Sequence, residues 1–239
     1  MKKRTKILLT ILIFLIVLLS GGWFYLHAQV YHPSKAADKI AQQATTTQPE
    51  LYFKSKLTTN PEIIFYPGAL VEPASYSIWA KRVADAGYPV YIVRFPMDLA
   101  VLAPNQAGNV LKNNQRDYVI GGHSLGGVMA SRYAHEHQKH LKGVFFLASY
   151  PDKKGSLKGT DLPVLSITAS RDGVLNRSAY KKAKRLLPKN TAYEQISGGN
   201  HAGFGSYGAQ KGDNTATISN QAQQRQVAQR LIQWLKNLN

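Results

Sequence analysis

Ser124 lies between two glycines in Gly122-His123-Ser124-Leu125-Gly126, a G-x-S-x-G. The chemistry such a serine can do is attack on an acyl carbon through a covalent acyl-enzyme. A hydroxyl is a weak nucleophile until a base removes its proton, and an imidazole works best when a carboxylate fixes its tautomer. A base and an acid are therefore sought in loops at the carboxyl ends of strands, where a parallel sheet gathers reactive groups. His201 stands in Ser197-Gly198-Gly199-Asn200-His201-Ala202-Gly203, among glycines that suit a core histidine poorly. Asp172 stands in Ala169-Ser170-Arg171-Asp172-Gly173, followed by a glycine suited to a turn. Asp213, in a polar loop further on, is the alternative acid. The order along the chain is serine, acid, histidine.

The elements that must position these groups follow from the apolar pattern. Tyr118 to Ile120 reads as a buried strand running into the serine turn, and Val128, Met129, Ala130, Tyr133 and Ala134 as the helix after it. Further strands are expected at Leu51 to Lys56, Glu62 to Tyr66, Pro89 to Val93, Val144 to Ala148, Val164 to Thr168 and Tyr193 to Ile196. Helices are expected at Ser75 to Gly87, Leu99 to Leu111, Asn176 to Leu187 and Asn220 to Leu238. Such alternation calls for an α/β fold with a mainly parallel sheet covered on both faces.

A tetrahedral intermediate needs two donors for its oxyanion. The N–H of Leu125, at the start of the helix, has no helical partner and supplies one. Tyr66-Pro67-Gly68-Ala69 ends an earlier strand, and the Ala69 N–H is expected to supply the other, with Leu70 as the alternative. Gly68, Leu70, His123 and Phe204 are the expected lining of the site. His135, His137 and His140 cluster without the H-E-x-x-H spacing, so no metal site is expected, and no cofactor.

With these pieces in order, the sequence resembles the serine α/β hydrolases, and in particular a bacterial, functionally undefined branch. The likeness is carried by Phe65-Tyr66-Pro67-Gly68, Gly121-Gly122-His123-Ser124-Leu125-Gly126-Gly127, Ser170-Arg171-Asp172-Gly173 and Gly199-Asn200-His201-Ala202-Gly203-Phe204-Gly205-Ser206-Tyr207-Gly208. The resemblance implies Ser124 as nucleophile, Asp172 as acid and His201 as base. Tyr66-Pro67-Gly68 departs from the His-Gly of many relatives. Relatives with a helical lid insert it about where residues 149–163 lie, and fifteen residues leave no room for one. An open or shallow site follows, suited to accessible esters or small acyl groups. The loop at Ser206 to Ser219 is read as a specificity loop near His201, with irregular structure over the sheet edge as the alternative.

The chain of 239 residues suffices for one sizeable α/β domain. It has no cysteine, which excludes thiol catalysis and disulfide scaffolding. Ile7 to Leu26 carries no charge over twenty residues, long enough as a helix to cross a bilayer core of roughly 30 Å. Lys2, Lys3, Arg4 and Lys6 precede it, and Trp23 and Tyr25 sit at its far end. The expected layout is a basic cytoplasmic flank (1–6), a transmembrane signal-anchor (7–26), a polar spacer (27–50) and an extracellular catalytic domain (51–239). Leu26-His27-Ala28 is a poor cleavage site for a signal peptide. The net charge of +17 favours anionic surroundings. No nucleic-acid motif accompanies it, so the expected partners are an acyl-ester substrate, the membrane and an anionic envelope polymer. A carboxylic-ester hydrolase is the leading expectation. Acyl transfer or deacylation on such a polymer, and a catalytically silent envelope-binding module, are the rivals.

Overall fold

The computed structural model describes residues 3–47, 49–56, 60–112 and 116–238, so Lys2 of the basic flank lies outside it. The chain divides into two units, Met1–Val30 and Tyr31–Asn239. The first holds helix α1 (Lys3–His27), whose stretch Leu8–His27 has a mean hydropathy of 2.3 and buries none of it in the protein. One N-terminal helix is thus long and apolar enough to cross a membrane, by length and composition.

The second unit is a twisted sheet of eight strands. They are β1 (Thr45–Thr46), β2 (Glu50–Phe53), β3 (Glu62–Tyr66), β4 (Val90–Val93), β5 (Tyr118–His123), β6 (Leu141–Leu147), β7 (Val164–Ala169) and β8 (Ala192–Ile196), in the spatial order β1-β2-β4-β3-β5-β6-β7-β8. The pairs β1–β2 and β2–β4 are antiparallel and the rest parallel. Helices α2 (Lys35–Ala41), α3 (Ser77–Asp85), α4 (Ala107–Leu111), α5 (Leu125–Glu136), α6 (Arg177–Ala183) and α7 (Asn220–Leu235) complete it.

The unbroken apolar runs of β3 and β6 are explained by two cores, one on each face. Ile63, Phe65, Phe145 and Leu147 pack with Trp79, Val83, Val227 and Leu231, from α3 and α7. Their neighbours Ile64, Tyr66, Val144 and Phe146 point the other way, to Met129 and Tyr133 of α5. Successive side chains of a strand face opposite sides, so a strand buried on both must be apolar throughout. In the β6–β7 connection the only helical element among the described residues is a 3₁₀ turn at Lys153–Gly155, so no sizeable lid stands there.

Two expectations are corrected. The helix from Leu99 to Leu111 is two 3₁₀ turns, Pro96–Asp98 and Ala100–Leu102, followed by the short α4. Pro104 has no N–H for a helix, and the Tyr66 hydroxyl holds the segment instead, donating to the Pro104 carbonyl at 2.8 Å and accepting from the Ala107 N–H at 2.9 Å. The long helices at 75–87 and 176–187 are also shorter, since each tightens into a 3₁₀ turn at one end. The polar stretch after Val30 carries the short helix α2 and is tied to the rest of its unit. Tyr31 donates to the Leu70 carbonyl at 2.7 Å, the Ser34 N–H to the Ser206 carbonyl at 2.7 Å, and Ser34 caps α2.

Candidate active site

Strand β5 ends at His123 and α5 begins at Leu125, leaving Ser124 alone to make the reversal. It does so at φ 51°, ψ −124°, a conformation that L-residues avoid and that costs about 1–3 kcal/mol. The surroundings hold it there. The Ser124 N–H donates to the Leu147 carbonyl at 3.1 Å, and the Ser149 hydroxyl donates to the Ser124 carbonyl at 2.6 Å. A Cβ on Gly126 would lie 2.1 Å from the Pro67 carbonyl oxygen, and one on Gly122 would lie 2.5 Å from the backbone of Gly126. The motif's glycines are therefore contact requirements: they let α5 start against both its own strand and the loop after β3.

Asp172 and His201, 29 residues apart, meet. His201 Nδ1 lies 2.9 Å from Asp172 Oδ2, and both side chains are buried. The other oxygen, Oδ1, accepts the N–H groups of Val174 (2.9 Å) and Leu175 (2.8 Å). Burial pushes the Asp172 carboxyl up, but the hydrogen bond from His201, its charge and these two amides outweigh it and hold the group below 3.8. Asp172 is thus a carboxylate whose free oxygen faces an imidazole. The Nε2 atom of His201 is buried without a hydrogen-bond partner among the described residues, so Ser124 and His201 are not bonded to each other here. The His201 ring does pack on the residue before the serine: its centroid lies 4.5 Å from that of His123.

The loop after β3 sorts its amides. The Gly68 N–H donates to the Tyr76 hydroxyl at 2.9 Å, and the Leu70 N–H to the Asp98 carbonyl at 2.9 Å. Leu70, the alternative oxyanion donor, is thereby committed elsewhere. Between them the Ala69 N–H carries no hydrogen bond among the described residues, and neither does that of Leu125. Ala69, Leu70 and Leu125 are partly exposed, whereas Gly68, His123 and Phe204 are buried, the last two with ring centroids 5.7 Å apart. So of the expected lining residues, Gly68, His123 and Phe204 are buried and only Leu70 is partly exposed.

Asp213 does not approach His201 as a second acid. Its Oδ1 accepts from Gly173 (3.0 Å) and Asn214 (2.9 Å) and its Oδ2 from Ala202 (2.9 Å). Those partners include the residues directly after Asp172 and His201, so one carboxylate ties the two loops together. Through Asp213 the loop at 206–219 braces the two loops. Gln223 adds to it, accepting from the Asn200 N–H at 3.0 Å and donating to the Asn200 carbonyl at 2.8 Å, while Gln224 donates to the carbonyls of Gly203 and Gly205. The sequence held one signal for these glutamines: they fall on the buried stripe of α7, three or four residues before Val227. Tyr76 and the carbonyl of Asp98 carried none. His135, His137 and His140 each have a separate partner, and no group of three or more metal-ligating side chains converges among the described residues.

A groove of about 1000 Å³ opens between α2, α3 and the 206–216 loop. It touches Asn200, Ala202 and Gly203 but neither Ser124 nor His201, so it lies beside the candidate chemistry and not over it.

A buried carboxylate–imidazole pair, a strained serine and two unused amides can together support acyl transfer through a covalent intermediate. Comparison with known proteins agrees at the level of fold. A monoacylglycerol lipase of Paleococcus ferrophilus superposes with a TM-score of 0.59 at 13% identity, over 81% of this chain and 100% of that one. A bacterial membrane phospholipase A gives 0.62 at 14%, over 100% and 99%. The esterase domain of a Rhodothermus marinus protein gives 0.60 at 13%, over 80% and 93%. No curated protein matches the sequence itself. The model of the alpha/beta hydrolase family matches residues 62–225, which span the sheet from β3 and every residue of the candidate site. The chain belongs to the alpha/beta hydrolase family.

Proposed function

We propose that this chain is a serine hydrolase of carboxylic esters. The observation that carries the reading is the buried Asp172–His201 pair, whose imidazole packs on His123, the residue before Ser124, while the Ala69 and Leu125 amides are unengaged among the described residues. Ser124 Oγ attacks the ester carbonyl as His201 Nε2 takes its proton. Asp172 holds the Nδ1–H and stabilises the imidazolium. The Ala69 and Leu125 N–H groups bind the oxyanion, the alkoxide leaves with the proton from His201, and water repeats the sequence on the acyl-enzyme. For this step Ser124 Oγ and His201 Nε2 must come within hydrogen-bond reach, a contact that commonly tightens only when substrate arrives.

Esters with an apolar acyl group suit the rim. Met97, Val101 and Leu102 are exposed on the loop that Asp98 ties to Leu70, and the β6–β7 connection places no sizeable lid among the described residues. The structural neighbours, a lipase, a phospholipase and an esterase domain, point the same way. Helix α1 is read as an uncleaved anchor with a cytoplasmic N-terminus, which leaves the hydrolase outside the membrane. The surplus of cations favours anionic esters and envelope polymers there.

The test is hydrolysis of p-nitrophenyl acetate and butyrate by the full-length chain in detergent, beside labelling by a fluorophosphonate. Wild type is expected to turn over and to label at Ser124, and Ser124→Ala to do neither. A folded wild type that does not label would refute the reading. Release of acyl-alcohol in place of free acid, when an alcohol is supplied, would identify a transferase.

A further inference from the structure

His123 and Tyr76 form a buried pair that the mechanism above does not use. The Tyr76 hydroxyl accepts from the Gly68 N–H at 2.9 Å and lies 2.9 Å from His123 Nδ1. Both side chains are buried, Tyr76 completely. Burial raises the Tyr76 phenol, against a smaller opposing effect of the Gly68 amide, so the oxygen keeps its proton. That proton needs an acceptor, and His123 Nδ1 is the one at hand. The direction of the line is then fixed: Gly68 N–H to Tyr76, and Tyr76 O–H to His123 Nδ1, with the imidazole proton on Nε2. His123 stays neutral, because burial first and the neighbouring His201 second push its pKa well below 6.5, with the His201 backbone opposing. A neutral imidazole beside His201 adds no second charge when His201 takes up the serine's proton.

The geometry of residue 68 belongs to the same device. A Cβ there would lie 2.9 Å from His123 Nδ1 and 3.2 Å from Tyr76 Oη, so only glycine lets both groups reach its amide. With Gly68 held by Tyr76 and Leu70 by Asp98, the peptide between them has one orientation, and Ala69 presents its N–H.

We infer that Tyr76 and His123 are positioning residues for the oxyanion loop: they bind the Gly68 amide and so aim the Ala69 N–H at the reacting carbonyl oxygen. This rests on the serine-hydrolase reading. They touch no reacting atom and act only through the loop. Their removal should therefore weaken the transition state and leave ester binding alone.

The experiment compares Tyr76→Phe, His123→Leu and His123→Asn with wild type in the full-length chain. The readouts are kcat and KM for p-nitrophenyl butyrate, and inhibition by a trifluoromethyl ketone that forms a tetrahedral adduct on serine. Losing an oxyanion donor costs about 10²–10³ in turnover, and misaiming one costs less. Tyr76→Phe and His123→Leu are thus expected to lower kcat roughly 10- to 100-fold with KM within about twofold, and to weaken the ketone by the same factor as kcat. His123→Asn places an amide oxygen where Nδ1 stood, can still accept from Tyr76, and should recover most of the loss. Unchanged kcat in Tyr76→Phe overturns the inference. So does a fall in kcat without a matching fall in ketone affinity, or an Asn variant as poor as the Leu one, since either marks a general structural defect. A wild type that neither hydrolyses nor labels removes the hydrolase reading and this inference with it, whereas an active wild type with indifferent variants removes only this inference.

Discussion

Asp172→Asn offers the sharpest test of the candidate site because the structure fixes how the amide must sit. Asp172 Oδ1 accepts two backbone N–H groups, from Val174 and Leu175, and Oδ2 faces His201 Nδ1. An asparagine has one oxygen. Turned with its NH₂ toward Val174 and Leu175, it would set donor against donor twice in a buried place, at about 1–3 kcal/mol for each amide left unpaired. The oxygen therefore stays on those amides and the NH₂ faces His201. An NH₂ can only donate, so His201 must offer the Nδ1 lone pair and carry its proton on Nε2. That is the nitrogen needed to take the serine's proton. The variant should keep its geometry and lose its base, and in serine hydrolases this wrong tautomer lowers turnover about 10⁴-fold, near 5 kcal/mol at 1.36 kcal/mol per decade. The assay is kcat/KM for p-nitrophenyl butyrate with the rate of fluorophosphonate labelling, and near-ultraviolet circular dichroism to verify the fold. A well-folded Asp172→Asn protein within tenfold of wild type would show that Asp172 does not orient the base.

Two further outcomes follow from the same contacts. Asp213→Asn keeps one acceptor oxygen for three N–H groups, so either Ala202 or the Gly173–Asn214 pair meets an NH₂. A loss of about 1–3 kcal/mol in chemical denaturation is expected, with kcat down roughly 10- to 100-fold as the Asp172 and His201 loops drift apart; unchanged stability and rate would show that the brace is not needed. The second concerns acid. His123, faced by Tyr76 and His201, has a folded pKa well below 6.5, so between those values the unfolded chain binds the extra proton. Its contribution to stability is complete above pH 6.5 and declines as the pH falls, by up to about 1.4 kcal/mol per unit. Asp172, lowered from 3.8, acts in a separate window, with stability present above that value and lost below it. Urea titrations from pH 7.5 to 4.5 should show the slope in wild type and a flatter one in His123→Asn; identical slopes would place His123 in a more polar environment than described.

The sequence by itself determined the alternation of strands and helices, the serine turn and the candidate acid and base. Each is a local matter. Apolar runs such as Val144 to Ala148 demand burial on both faces, and Gly122 and Gly126 mark a reversal that side chains there would block. It also determined the apolar N-terminal segment, since length and lack of charge need no tertiary partner. The meeting of Asp172 and His201 across 29 residues could be expected from their loops, but the order of the sheet could not, and the packing of β7 beside β8 brings the two together.

What Asp213 does emerges from the fold, because a carboxylate in a polar loop looks alike whether it orients a histidine or gathers backbone amides. The same holds for the broken helix at 99–111, where a hydroxyl from β3 holds the backbone that Pro104 interrupts. It holds again for the loop after β3, the candidate for the oxyanion donor. Which of three consecutive amides stays free depends on Tyr76 and on the Asp98 carbonyl, neither of which any spacing in the sequence connects to Ala69. Periodicity reveals which side of an element is buried. Hydrogen bonds between distant loops have no period, and they appear only once the chain has folded.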